Sequence, residues 1–281
     1  MAKGSGGKRK DDGGSTVELS GGSRTGLDIA TITGLAAAFT MIGAAFLMEG
    51  GSFHSLMGPS AWMIIIGGTL GATMVAFPLS DVVHAIAMGR MLLISREIDT
   101  VGLAKDLVEF SSIARREGIL ALETYASSHP HPMIQKGLQL LVDGTEPERI
   151  EQILHQYVRA EEERIHRAAR VFEACGGYSP TMGIIGTVLG LISVLGNLEG
   201  AEGLGEKIAL AFVATLLGIG FANLMWLPFA NKLKMKAMEE KNASKLVITG
   251  LVCIQNGDSP RMMERMLNIE NIAPAATESA A

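Results

Sequence analysis

Cysteine is scarce in this chain, with only Cys175 and Cys253 among 281 residues. That is too few for the disulfide framework of a small secreted domain. Aromatic residues make up 5% and charged residues 19%, against 48% hydrophobic, a balance too apolar for an ordinary soluble domain and too charged for an all-membrane chain. The six histidines, His54, His84, His129, His131, His155 and His166, form no metal-ligand spacing with Cys or Asp, so neither a metal site nor a cofactor is expected. Also missing are a GxxxxGK[ST] loop, GxSxG, HExxH and any obvious Ser, His and Asp triad. The chain is therefore not expected to be an enzyme, nor to have a nucleic-acid partner. The first 25 residues, rich in Gly, Ser, Lys and Asp, lack the apolar core of a signal peptide and read as a disordered leader.

The most telling absence is charge in four long apolar stretches. Ile29 to Met48, Ala61 to Leu79, Tyr178 to Leu198 and Ile208 to Phe229 contain no Lys, Arg, Asp or Glu, and each approaches the ~20 residues that a helix needs to cross a ~30 Å hydrocarbon layer. Four transmembrane helices follow. Of the 24 Lys and Arg, only Lys207 falls in a loop assigned to the outside. The rest lie before Ile29, between Ser80 and Cys175, and after Phe229, which places both termini and the long central loop in the cytoplasm. Both cysteines then sit in reducing surroundings, and no disulfide is expected.

The loop between spans two and three alternates helix-period segments with turn signals such as His129-Pro130 and Asp143-Gly144, and is expected to be helical throughout. Thr145 and Glu148 form a capping box around Pro147. The apolar positions Ile150, Ile153, Leu154, Tyr157, Val158, Ile165 and Phe172 then predict one nearly continuous helix running into span three, with Glu161-Glu162-Glu163-Arg164 solvated. Ser80 to Leu93 reads either as an amphipathic helix on the membrane surface or as a core-facing helix. Lys232, Lys234 and Lys236 sit where lysines anchor a helix end at the headgroups. In Arg115-Arg116-Glu117-Gly118-Ile119-Leu120-Ala121-Leu122-Glu123, the charge pattern alone predicts a solvated helix face.

Small residues recur at close helical spacing: Gly67 and Gly71 in span two, Gly186 and Gly190 in span three, and Ala211, Thr215, Gly218 and Ala222 in span four. They predict tight helix association. Thr187 and Thr215 fall near the middle of spans three and four, and antiparallel packing brings both hydroxyls close to the midplane. With Ser179, Thr181 and Asn223 below and Ser193 and Asn197 above, they mark a hydrated or ion-coordinating path. A cation inside lipid needs a countercharge, usually a carboxylate; none of the four spans carries one, so either no ion passes or a second subunit brings the acid. Pro180 and Pro228, at the cytoplasmic ends of spans three and four, read equally as helix ends or as hinges.

The run Tyr178-Ser179-Pro180-Thr181-Met182-Gly183-Ile184-Ile185-Gly186-Thr187-Val188-Leu189-Gly190, then Ala211-Phe212-Val213-Ala214-Thr215-Leu216-Leu217-Gly218, then Leu227-Pro228-Phe229-Ala230-Asn231-Lys232-Leu233 resembles the flagellar motor stator A subunits (MotA/PomA) of the MotA/TolQ/ExbB proton channel family. Ala114 to Glu123 and Leu141-Val142-Asp143-Gly144 resemble the same family, so the likeness covers roughly Gly26 to Ile269. The resemblance implies an all-α protein of the bacterial inner membrane, with four transmembrane helices and a helical cytoplasmic domain built from the loop between spans two and three and the C-terminal tail. Its parts would be a leader (1–25), spans one and two (26–79), a rotor-facing domain (80–175), spans three and four with the ion path (176–230), and a C-terminal helix and tail (231–281).

The resemblance further implies partners: a MotB/PomB-like B subunit whose single transmembrane helix supplies the ion-binding Asp, five A subunits around two B, the rotor protein FliG, and membrane lipid. It makes Arg115 and Glu123, with Arg116 adjacent, the charged residues that engage the rotor; Pro180 and Pro228 the prolines needed for torque; and Thr215 the ion-path threonine of span four. Threonine at Thr187 favours Na⁺ over H⁺ as the transported ion, since sodium-driven relatives have threonine and proton-driven ones alanine there. The run Ala214-Thr215-Leu216-Leu217-Gly218 argues the other way. A TolQ/ExbB-like subunit, with three spans, and a non-conducting helical scaffold are the alternatives.

Overall fold

A computed structural model describes residues 23–92, 94–196 and 204–267. The leader as far as residue 22, Asn197 and the tail from residue 268 lie outside the described residues. In chain order, a strand β1 (Ser23–Leu27) leads into α1 (Ile29–Met48). Then α2 (Pro59–Trp62), a π-helical turn (Met63–Gly67) and α3 (Gly68–Ala76) form the second apolar rod, followed by α4 (Leu79–Met91) and β2 (Ile94–Ile98). Next come α5 (Thr100–Glu117), a 3₁₀ turn (Ile119–Leu122), α6 (Glu123–Ser128) and α7 (Pro132–Val142). The chain continues through α8 (Pro147–Leu195), α9 (Leu204–Phe221), a second π-helical turn (Ala222–Trp226), α10 (Leu227–Asn256) and α11 (Pro260–Met266).

Among the described residues the regular elements are helical apart from β1 and β2, which pair as a two-stranded sheet. That sheet corrects the expectation of an entirely helical central loop, and β1 takes in residues 23–25, which had been assigned to the leader. Four helical segments are long and apolar enough to span a membrane, as expected: Ile29–Met48, Pro59–Ala76, and stretches within Pro147–Leu195 and Lys207–Asn256. The predicted continuous helix is present, since α8 runs unbroken for 49 residues from Pro147. Its start differs in detail. The cap position is Glu146, whose carbonyl accepts from Arg149 and Ile150, while the Thr145 amide bonds Leu140 instead.

The chain forms two compact units. The first comprises residues 24–97 and 155–244 and holds the apolar rods. At one end of it Val82, Ala85 and Leu92 pack with Ile165, Ala168, Ala169 and Phe172 of α8 and Ala230, Leu233 and Ala237 of α10. Thus α4 uses its apolar face as a core-facing helix, although Val83 and Ile86 remain exposed. The three lysines expected at the headgroups pair with protein groups in this unit. Lys232 meets Asp28 and Thr31, Lys234 meets Glu173, and Lys236 donates to the Ile94 carbonyl at 2.9 Å. Nor is the acidic run of α8 merely solvated, because Glu162 pairs with Lys241 at 2.8 Å and Glu163 with Arg170 at 2.6 Å. The Lys241–Glu162 and Lys234–Glu173 pairs tie α10 to α8, while Glu163 and Arg170 both stand on α8.

Asp28 caps α1 by accepting the Thr31 amide at 2.9 Å. Its bond to Lys232, with the Thr31 bond, holds its carboxyl down from 3.8 to about 2. Because the folded value lies below the unfolded one, the stabilisation is complete above 3.8 and is lost as pH falls through about 2. The melting-temperature gap between wild type and Asp28→Asn is therefore expected to persist from neutral pH down to the ordinary carboxylate range, then close; a gap that closes nearer neutrality contradicts the pairing.

The second unit comprises residues 98–154 with the described residues from Lys245. Leu103, Leu107 and Phe110 of α5, Leu122, Ile134, Leu138 and Leu141, Ile150 and Leu154 of α8, and Leu251 of α10 are almost fully buried in its core. Two glycines let chains approach there: a Cβ on Gly137 would lie 2.0 Å from Leu251, and one on Gly250 2.7 Å from Leu107. Cys253, in this unit, and Cys175, in the first, are free and buried. Burial pushes the Cys253 thiol up to about 11.

Candidate functional site

The centre of the membrane unit is the crossing of α8 and α9, where the expected small-residue packing is extreme. A Cβ on Gly183 would sit 2.9 Å from the Ala214 carbonyl oxygen and 3.1 Å from the Thr215 Cα; one on Gly218 would sit 2.6 Å from the Ser179 carbonyl oxygen. Gly186 and Gly190 face the Ala214 and Ala211 methyls, with Cβ positions 2.7 and 2.6 Å from them. The two backbones therefore touch along Gly183, Gly186 and Gly190 on one side and Ala211, Ala214 and Gly218 on the other, the arrangement by which small residues associate helices in lipid. Gly183 was not among the expected packing residues, although its spacing to Gly186 and Gly190 belongs to the same face.

This close approach brings Thr187 and Thr215 together. Their hydroxyl oxygens are in direct contact. Thr187 Oγ1 also lies 3.0 Å from the Ala211 carbonyl and 3.2 Å from that of Gly183, while Thr215 Oγ1 lies 3.4 Å from the latter. Two hydroxyls and two carbonyls converge. Each hydroxyl has one proton to donate and two lone pairs to offer, so the cluster can present oxygen to a cation or hold a water, as hydration-replacing oxygens do in channels. Both threonines are half-buried, so the cluster is open at its edge. The neighbours differ from expectation. Ser179 is buried and donates to the Gly218 carbonyl at 2.9 Å, a crosslink between helices. Thr181 and Asn223 are exposed and bond the carbonyls of Tyr178 and Ile219 in their own helices, so they do not line the threonine pair.

Pro180 and Pro228 end no helix. Pro180 lies inside α8, and Pro228 is the second residue of α10, one residue beyond the π-helical turn Ala222–Trp226. Proline has no N–H to close the preceding turn, and a π-turn is one way for a helix to re-pair the freed carbonyl without breaking.

In the other unit, Arg115 and Arg116 occupy the last turn of α5, where cations suit the helix dipole. Glu123 opens α6, and all three are exposed. Gly118 joins them with φ 89° and ψ 161°, a region open essentially to glycine alone. A buried pair joins α5 to the end of α6: His129 Nε2 meets Asp106 Oδ2 at 3.1 Å. Because His129 Nδ1 accepts the His131 amide at 3.0 Å, its proton is on Nε2, donated to the carboxylate. Asp106 stands on the apolar face of α5 among Leu103, Leu107 and Phe110; that lone acid on an apolar stripe was the signal that sequence reading passed over. Gly118→Ala is expected to cost about 1–3 kcal/mol and to reduce swimming; thermal unfolding of the purified protein checks it, and an unchanged midpoint contradicts the strained turn.

Four apolar rods, glycine-mediated crossing of two of them and paired mid-span hydroxyls without an acid define a multi-pass membrane protein of the channel-and-motor class. Residues 126–245 match the MotA/TolQ/ExbB proton channel family and residues 32–108 match the N-terminal model of motility protein A. Motility protein A of Bacillus subtilis is 35% identical over 86% of this chain and 90% of its own length. The chemotaxis protein PomA of Vibrio alginolyticus is 29% identical over 86% and 94%. The flagellar MotAB stator complex of Bacillus subtilis superposes with a TM-score of 0.80, at 33% identity, covering 87% of this chain and 99% of that one. The chain belongs to the motility protein A family. Its function is that of a stator A subunit of the flagellar motor, and the TolQ/ExbB-like alternative is not favoured.

Proposed function

We propose that the chain lies in the inner membrane with both termini in the cytoplasm, and forms a cation path with a MotB/PomB-like B subunit whose transmembrane Asp binds the ion. Thr187 and Thr215 supply hydroxyl oxygen beside that carboxylate. Neutralising the Asp by an ion removes a charge from the interface, and five A subunits step around two B. Arg115, Arg116 and Glu123 pass the step to FliG, while Pro180 and Pro228 set where α8 and α10 bend. The observation that carries this reading is the touching pair of hydroxyls at a glycine-packed crossing, in spans that hold no acid of their own.

Sodium is the proposed ion. A second hydroxyl replaces water around Na⁺, whereas a proton needs no such shell. Swimming speed across sodium concentrations, with and without a protonophore, tests it. Speed that rises with sodium and survives the protonophore is the expected result; motility unchanged without sodium overturns the ion assignment.

A further inference from the structure

Span two departs from regular α-helical pairing at one place. The turn Met63–Gly67 is π-helical, so one extra residue is accommodated inside the rod that α2 and α3 otherwise form. The buried stripe of that rod falls on every fourth residue: Ala61, Ile65, Thr69 and Thr73. Its upper half packs on the threonine crossing. Ala61 and Ile65 share a buried cluster with Ala214, the neighbour of Thr215, and Ile64 Cγ2 lies 3.7 Å from the position a Cβ on Gly186, the neighbour of Thr187, would take. Farther along, Gly68 sits against Met182 and Thr73 against Cys175, so the rod runs antiparallel to α8.

The two threonines of this stripe differ. Thr73 Oγ1 donates to the Thr69 carbonyl at 2.7 Å, the usual bond of a helical threonine to the residue one turn back. The corresponding acceptor for Thr69 is the Ile65 carbonyl, which stands inside the π-turn. Among the described residues Thr69 Oγ1 has no hydrogen-bond partner, although Thr69 is 1% exposed. A buried hydroxyl left without a partner costs stability. Beside the threonine crossing, span two therefore holds an extra residue and a hydroxyl that a regular α-helical register would satisfy.

We propose that the π-turn Met63–Gly67 is a movable joint that sets the position of Thr215, and that Thr69 is the positioning residue that stabilises its second register. In that register the extra residue passes toward Pro59, at the start of α2, which has no N–H to re-pair, and residues 63–67 become α-helical. Thr69 Oγ1 then donates to the Ile65 carbonyl. Ile65 turns about 100° around the rod axis, the angle of one residue in an α-helix, and leaves Ala214. With that support withdrawn, Thr215 moves relative to Thr187, so the oxygen cluster opens and closes as the joint moves. The inference rests on the ion-path reading of Thr187 and Thr215.

The test measures sodium and proton uptake by proteoliposomes holding the complete stator complex, with membrane level and thermal midpoint recorded for each variant. Thr69→Val is nearly isosteric and removes the unpartnered hydroxyl, so for a threonine with a structural role alone it would leave uptake unchanged. The joint predicts a midpoint at or above wild type together with a maximal uptake rate about fivefold lower, as losing one hydrogen bond from one of two registers implies, while the half-saturating ion concentration stays near wild type. Thr69→Ser, which keeps the hydroxyl, should restore the rate. Deleting Met63, whose side chain is exposed, removes the extra residue while both ends of the rod keep their faces; the protein should reach wild-type membrane level with uptake abolished, because the joint is locked. Normal uptake in Thr69→Val or in the deletion, a midpoint that falls along with the rate, or a deletion variant missing from the membrane overturns the joint. Thr215→Ala in the same assay separates the two readings: if it conducts normally, the ion-path reading itself falls, and if it alone loses uptake, that reading stands and the joint is wrong.

Discussion

Gly218→Ala is expected to abolish motility and to lower ion flux through the assembled complex by at least an order of magnitude. The added methyl would sit 2.6 Å from the Ser179 carbonyl oxygen and beside the Gly183 backbone, and backbone cannot swing aside as a flexible side chain would. Relief requires α8 and α9 to separate. Overpacking of this kind costs about 1–3 kcal/mol, a moderate loss for the fold but a large one for the site. The threonine hydroxyls touch only because the backbones do, and positioning errors of about 1 Å are costly to function. The Ser179 bond to the Gly218 carbonyl is strained by the same movement. Gly220 is the internal control, since a Cβ there meets nothing within 4 Å. Flux and swimming in Gly220→Ala should stay near wild type, and equal damage by both variants would show that helix propensity, not the crossing, is at stake.

Charge reversal at Arg115 or Glu123 is expected to stop swimming while leaving membrane level and ion flux near wild type. Both side chains are exposed, one at the end of α5 and the other at the start of α6. Exposed charges contribute at most about 1 kcal/mol to their own fold, so the defect should lie in what they touch. The membrane unit that holds Thr187 and Thr215 does not contain either residue, which is why conduction and torque should separate. Quantitative immunoblots of membranes with bead-rotation assays check this. Variants that vanish from the membrane would assign Arg115 and Glu123 to folding.

Much of this was legible in the sequence, for identifiable reasons. Spans announce themselves because lipid tolerates no charge over about 20 residues, and α8 was foreseeable because its apolar period ran unbroken from Ile150 to Phe172. The threonine pair followed from depth alone, since antiparallel rods place their midpoints together. Local geometry was harder. A five-residue strand at Ser23–Leu27 pairs with one at Ile94–Ile98, and no local alternation reports a partner so distant. Lys232 pairs with the Asp28 carboxylate, a partner 204 residues away that the charge pattern alone does not show. The π-turn before Pro228 and the brace of Asp106 with His129 are likewise properties of neighbours in space.

The central claim is that this chain lends hydroxyls and a moving wall to a passage whose negative group belongs to another protein. Ion flux into proteoliposomes measures it directly, comparing the chain alone, the chain with its B subunit, and the pair in which the B subunit's transmembrane Asp is replaced by Asn. The account predicts uptake only in the intact pair, reduced again by Thr187→Ala or Thr215→Ala; full-rate uptake by this chain alone would contradict it.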